Sequence, residues 1–243
     1  MNRIFIIKTG TTFPNTAKQL GDFDSWTVNG LMLSSGEVKV VDVVTGDTLP
    51  KAETCRGIVV TGSHAMVTDC LPWSKAIAAW IPSIIEAEVP LLAICYGHQL
   101  LAWALGGKVG FHPGGKEIGS VDIHLLPDSI TDPLFCALPS TFKAHTSHSQ
   151  TVLSLPQDAV RLALNSFESN QAFRVGSCAW GVQFHPEYNR KIMESYILEQ
   201  TKELEAAGRD TSVLLRTIRE TPIAASLLLR FASMMGKDLQ SRR

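Results

Sequence analysis

Four short apolar runs set the limits on what this chain folds into: residues 4–7 (IFII), 38–44 (VKVVDVV), 57–60 (GIVV) and 91–94 (LLAI). Each is too short for a helix, each is closed by a turn signal, and helical patterns lie between them. Strands buried on both faces of a mainly parallel sheet have this texture, because helices cover both sides and leave little polar alternation. The third run ends in Thr61-Gly62-Ser63 and the fourth at Cys95. In open α/β sheets ligands bind at the C-terminal ends of strands, so these two loops are expected at one functional edge.

Residues 72–87 (PWSKAIAAWIPSIIEA) read as a helix with Pro72 in its first turn and with Pro82 expected to kink or split it. Residues 96–105 read as a second helix, stopped by a left-handed cap at Gly106-Gly107. Past residue 108 the texture becomes hairpin-like, with β runs at 120–125, 159–164, 171–175 and 179–184. Residues 190–207 are charged and helical, and 223–235 form another helical pattern with Ile223, Leu227, Leu228, Phe231 and Met235 on one face. The expected fold is α/β: a mainly parallel open sheet flanked by helices over 1–190, with a β-rich second half and a C-terminal helical extension over 191–243. That extension packs on the domain or on a second subunit, which leaves a homo-oligomer open.

Composition removes several function classes. The chain has 243 residues with 22 basic and 23 acidic side chains, so no basic surplus points to a nucleic-acid partner. Its five cysteines are odd in number and contain no CxxC pair, which disfavours a disulfide framework or a zinc site and suggests a reducing cytoplasm. The apolar stretch in MNRIFIIKTG is too short for a signal peptide, and no run reaches membrane-spanning length. No cofactor or metal is implied.

The segment Ala93-Ile-Cys-Tyr-Gly-His-Gln99 has the order strand, sharp turn, helix, with small residues two before and two after Cys95. That is the pattern of a nucleophile elbow, in which a strained turn lifts one side chain clear of the sheet. A cysteine there sits at a helix N-terminus, where the helix dipole favours the thiolate. A base is offered by Gly181-Val-Gln-Phe-His-Pro-Glu187: His185 ends a β run, and Glu187, two residues on, points to the same side in extended backbone. Cys95, His185 and Glu187 make a triad by role: nucleophile, base and orienter.

On CYGHQ and FHPE together, with the QAFRV strand and the VVTGS strand-to-loop, the chain resembles the class I (triad) glutamine amidotransferases over residues 1–190. The nearest likeness within that family is to stand-alone proteins similar to the glutaminase domain of GMP synthase. The resemblance implies a flavodoxin-like fold and attack of Cys95 on the glutamine side-chain amide, release of ammonia with a proton from His185, and hydrolysis of a γ-glutamyl thioester. It also implies an oxyanion hole from the backbone amides of Gly62 and Tyr96, and contact of Gln99 with substrate. Ser147-His-Ser-Gln150 lies where relatives carry a His-Gly-Asp-like stretch lining the pocket. Ser149 and Gln150 depart from that pattern, while Ser147, Ser149 and Gln150 stay as substrate-site candidates.

Other signals are discounted. Gly110 to Lys116 has the spacing of a phosphate-binding loop, but Glu117 stands where a hydroxyl is required, and a loop and β segment is expected. The histidines 98, 112, 145 and 148 lack companion ligands at metal spacing. Without a nucleotide-binding loop, any synthase that uses the ammonia is expected on a separate chain. Three functions are therefore carried forward: a glutamine amidotransferase or glutaminase subunit, a γ-glutamyl peptide hydrolase with the same triad, and a non-catalytic binding or regulatory module.

Overall fold

The computed structural model describes residues 3–34 and 36–241. Among them are strands β1 (Arg3–Lys8), β2 (Val38–Asp42), β3 (Cys55–Val60), β4 (Leu91–Ile94), β5 (Lys108–Phe111), β6 (Glu117–Leu125), β7 (Thr141–His148), β8 (Gln150–Ser154), β9 (Ala159–Leu164), β10 (Ala172–Val175) and β11 (Ala179–Val182). The α-helices are α1 (Pro14–Leu20), α2 (Phe23–Leu31), α3 (Pro72–Glu86), α4 (Tyr96–Ala104), α5 (Arg190–Glu199), α6 (Thr201–Ala206), α7 (Thr211–Thr217) and α8 (Pro222–Ser241).

Nine strands form one sheet in the order β2-β1-β3-β4-β11-β10-β9-β6-β7, and β5 and β8 make a separate pair. The first five run parallel, and the β-rich second half extends them with antiparallel strands. This is the mainly parallel open α/β sheet expected from the apolar runs, with the flavodoxin-like arrangement that the resemblance implies.

Alternate residues of β1 explain why that run is apolar throughout: Ile4 and Ile6 face one core, Phe5 and Ile7 the other. On the second face lie α3 and α4, through Ile77, Ile81, Ile84, Leu100 and Leu101. Covering the first face is α8, through Leu227, Leu228, Phe231 and Met235, all buried. Of the two uses open to the C-terminal helices, packing on the domain is the one seen. A third cluster joins Phe23 and Trp26 of α2 to Tyr188 and to Ile192, Met193, Tyr196 and Ile197 of α5.

One expectation needs correction. Pro82 does not split its helix, for α3 runs through it from Pro72 to Glu86. A proline inside a helix costs roughly 3 kcal/mol, but Ile77 and Ile81 before it and Ile84 after it are fully buried, at about 1.5–3 kcal/mol each. Residues 190–207 are helical as expected, in two helices that meet at Gln200. The cap after α4 agrees in kind: the helix ends at Ala104, and Gly106 takes φ +90°.

Candidate active site

At the end of β4 the backbone turns sharply: Cys95 has φ 49° and ψ −98°, outside the regions open to ordinary L-residues. Such a conformation costs of order 1–3 kcal/mol and persists only where the surroundings enforce it. Here the Cys95 amide donates to the Val182 carbonyl of β11 at 2.8 Å, and the Cys95 carbonyl accepts from the Gln99 amide at 3.1 Å. The residue is thus pinned to the sheet on one side and to the first turn of α4 on the other. Gly97 makes the turn sterically feasible, since a Cβ there would lie 2.7 Å from the backbone oxygen of Val60.

The imidazole comes from the neighbouring strand. The β run ends at Val182, short of the expected 184; the chain then bends at Gln183 and Phe184, and the His185 amide donates to the His145 carbonyl at 2.8 Å. His185 Nδ1 and Glu187 Oε1 are 2.7 Å apart, and both side chains are almost wholly buried. The ring lies in an aromatic sleeve, parallel to Tyr188 at 4.0 Å and to Phe23 at 6.4 Å. Burial alone would push its pKa down, but the charges of Glu187 and Cys95, and hydrogen bonding to both, outweigh it and raise the value to about 10. The Cys95 thiol and the His185 ring line one cleft, reached from the ends of two neighbouring strands. Adjacent His145 is pushed the other way, to about 4, first by burial and then by the His185 charge.

A cleft of about 260 Å³ opens over this pair. Cys95, Tyr96, Gln99, Ser147, Ser149, Gln150 and His185 all line it. Glu187 stands behind His185. Gly62 lies against the same ring, where a Cβ would come 3.0 Å from His185 Cε1. All nine residues singled out from the sequence are thus brought to one edge of the sheet. Among the described residues, the backbone amides of Gly62 and Tyr96 donate no hydrogen bond within the chain, so both are free to serve a ligand.

Gln150 is placed differently from a residue that would bind substrate through its side chain. Its Oε1 accepts from the Val67 amide at 3.1 Å, and its Nε2 donates to Thr68 Oγ1 at 2.6 Å, so its amide ties down the loop after β3. Gln99 donates from Nε2 to the Gln150 carbonyl at 2.8 Å and to Gln183 Oε1 at 3.0 Å. Below them lies a buried polar layer in which Glu117 accepts from His148, Asn165 and Gln171. Among the described residues no three His, Cys, Asp or Glu side chains gather as a metal would require, and no helix is long and apolar enough to cross a membrane.

With this geometry in view, comparison with known proteins is informative. The family model described as glutamine amidotransferase class-I matches residues 20–203. The chain belongs to that family. Among its relatives, the GMP synthase [glutamine-hydrolyzing] of Aeropyrum pernix is 34% identical over 63% of this chain and 28% of its own length. Gamma-glutamyl peptidase 4 of Arabidopsis thaliana is 29% identical over 58% of this chain and 57% of its own. The chain thus spans little more than half, or less, of these curated relatives. A crystal structure of a glutamine amidotransferase from Thermotoga maritima superposes with a TM-score of 0.77 at 25% identity, covering 97% of this chain and 98% of that one.

Around the class-I amidotransferase motifs, the structure adds residues that the sequence reading left unassigned. Gln183 Nε2 lies 3.4 Å from the Cys95 sulfur, making it a direct partner of that thiol. On the far wall are His64, whose Nε2 is 3.2 Å from the Tyr196 hydroxyl, and Lys116 with Glu203. These come from loops and helices distant in sequence, and no local pattern joins them.

Proposed function

We propose that the chain hydrolyses the side-chain amide of glutamine through a γ-glutamyl thioester on Cys95. The observation that carries this reading is a strained cysteine at a strand-to-helix turn, sharing a cleft with a buried imidazole held by a carboxylate at 2.7 Å. In the first step the Cys95 sulfur attacks the amide carbon while its proton resides on His185. The carbonyl oxygen becomes an oxyanion, and the amides of Gly62 and Tyr96 are the donors suited to it, each worth about 3–4 kcal/mol in the transition state. Collapse of the intermediate breaks the C–N bond, and His185 gives its proton to the departing nitrogen, releasing ammonia. Water then attacks the thioester with His185 taking a proton, and glutamate leaves as the thiol is restored. Glu187 orients the ring and stabilises its protonated form throughout.

A synthase subunit is the partner this reading calls for, to consume the ammonia. A second reading, hydrolysis of a γ-glutamyl peptide, uses the same steps with an amine in place of ammonia. It is favoured by the similarity to the gamma-glutamyl peptidases, which is shared over more than half of their length. One paired assay separates the readings. The protein and a Cys95→Ala variant are offered glutamine and a panel of γ-glutamyl peptides while ammonia, free amine and glutamate are followed. Loss of at least 10³-fold in turnover is expected for the variant, with ammonia from glutamine marking the first reading and amine marking the second. Turnover unchanged by the substitution would sink both and leave a binding module.

A further inference from the structure

The cleft holds a charge pattern that the thioester chemistry does not use. Among the described residues lining it, Lys116 is the only lysine or arginine and Glu203 the only carboxylate. The two are paired with each other at 2.8 Å. Lys116 is held from both ends. Its carbonyl accepts from Arg209 Nη1 at 3.1 Å, and its Nζ also donates to Gln200 Oε1 at 2.5 Å. Gln200 is fixed in turn by donating to the Tyr196 carbonyl at 2.9 Å. The cation is thus set in place by α5 and α6, whereas Glu203 is 65% exposed. Exposed ion pairs contribute only about 0–1 kcal/mol, so exchanging one partner for a ligand of the same charge costs little.

We propose that Lys116 and Glu203 are specificity residues that read a zwitterionic head group, the α-carboxylate at Lys116 and the α-ammonium at Glu203. This rests on the amidohydrolase reading above and narrows its substrate class to compounds with a free α-amino acid end, glutamine or an N-terminal γ-glutamyl group. Complementarity carries the assignment. A γ-glutamyl substrate presents an ammonium and a carboxylate on one carbon, and the cleft presents one anion beside one cation. The departing side does not match: ammonia carries no carboxylate, and the amine leaving a γ-glutamyl peptide brings only its own C-terminal one. Gln150 supplies no charge, and its side-chain amide is already engaged by Val67 and Thr68.

The test measures equilibrium binding to the full chain in a Cys95→Ala background, where no turnover intervenes. Three ligands are used: L-glutamine, 4-carbamoylbutanoate, which lacks the α-amino group, and the α-amide of glutamine, which lacks the α-carboxylate. Glu203→Gln is expected to weaken glutamine about tenfold and to leave 4-carbamoylbutanoate within twofold. Lys116→Met is expected to weaken glutamine similarly and to leave the α-amide within twofold. Equal weakening of all three ligands, no weakening, or absence of glutamine binding in the background protein would overturn the assignment. Turnover by the parent protein is scored separately: the expected binding pattern without any hydrolysis defeats the catalytic reading and leaves the head-group site standing.

Discussion

His185 is buried, yet the charges of Glu187 and Cys95 hold its pKa near 10, well above the value of an ordinary histidine. A group whose pKa is raised on folding adds stability that is complete below its unfolded pKa, about 6.5, and that disappears as pH rises through the folded one. Between roughly pH 6.5 and 10 the native chain keeps a proton there that the unfolded chain has released. Stability should therefore fall with rising pH, by up to about 1.4 kcal/mol per unit from this group. Urea unfolding of the protein and of His185→Asn at pH 7 and pH 9.5 checks this, with the variant expected to lose less over the same interval. At this scale Cys95, His185 and Glu187 were legible as candidates because each lies in a short local motif. Gln183 was not, although it touches the sulfur. An amide within a strand carries no mark of whether it points at a thiol or at solvent.

Among the elements, the turn between β4 and α4 depends on Gly97. A methyl group there would meet the Val60 backbone oxygen at 2.7 Å, and a strand in the middle of a sheet has nowhere to retreat. Gly97→Ala is expected to cost about 3 kcal/mol in chemical denaturation and to lower the rate of Cys95 alkylation by a small electrophile. Full stability with unchanged thiol reactivity would contradict this role for the glycine. Elements with a continuous apolar run, β1, β3 and β4, were readable from composition alone. By contrast β7 was missed, since its buried positions include His145, Thr146 and His148, and polar residues facing a site erase the apolar alternation. Helices α1 and α2 were missed for another reason: Gly21 and Asp22 interrupt the periodicity. Asp22 nevertheless caps α2 in a reciprocal arrangement with Ser25. The continuity of α3 through Pro82 was not readable locally, because burial of Ile77, Ile81 and Ile84 sets it.

The whole molecule is closed by its last helix. Phe231 of α8 is fully buried, edge-on to Trp180 at 6.4 Å, and joins the cluster containing Ile4, Ile6, Leu92 and Ile94. Phe231→Ala should cost about 3–5 kcal/mol, read as a lower denaturation midpoint, although the residue belongs to none of the signature motifs. The sulfur and the imidazole come from β4 and β11, neighbouring parallel strands with Ile94 paired to Val182. Cys95 follows β4 directly, but His185 lies three residues beyond the end of β11, and its amide is held by the His145 carbonyl of β7. The long excursion from α4 to β11 therefore takes part in placing the imidazole, through one rung on β7. Evolution or an engineer could rebuild those hairpins to suit another guest only by sparing that rung, since the sulfur and the imidazole are brought together from both sides of the sheet.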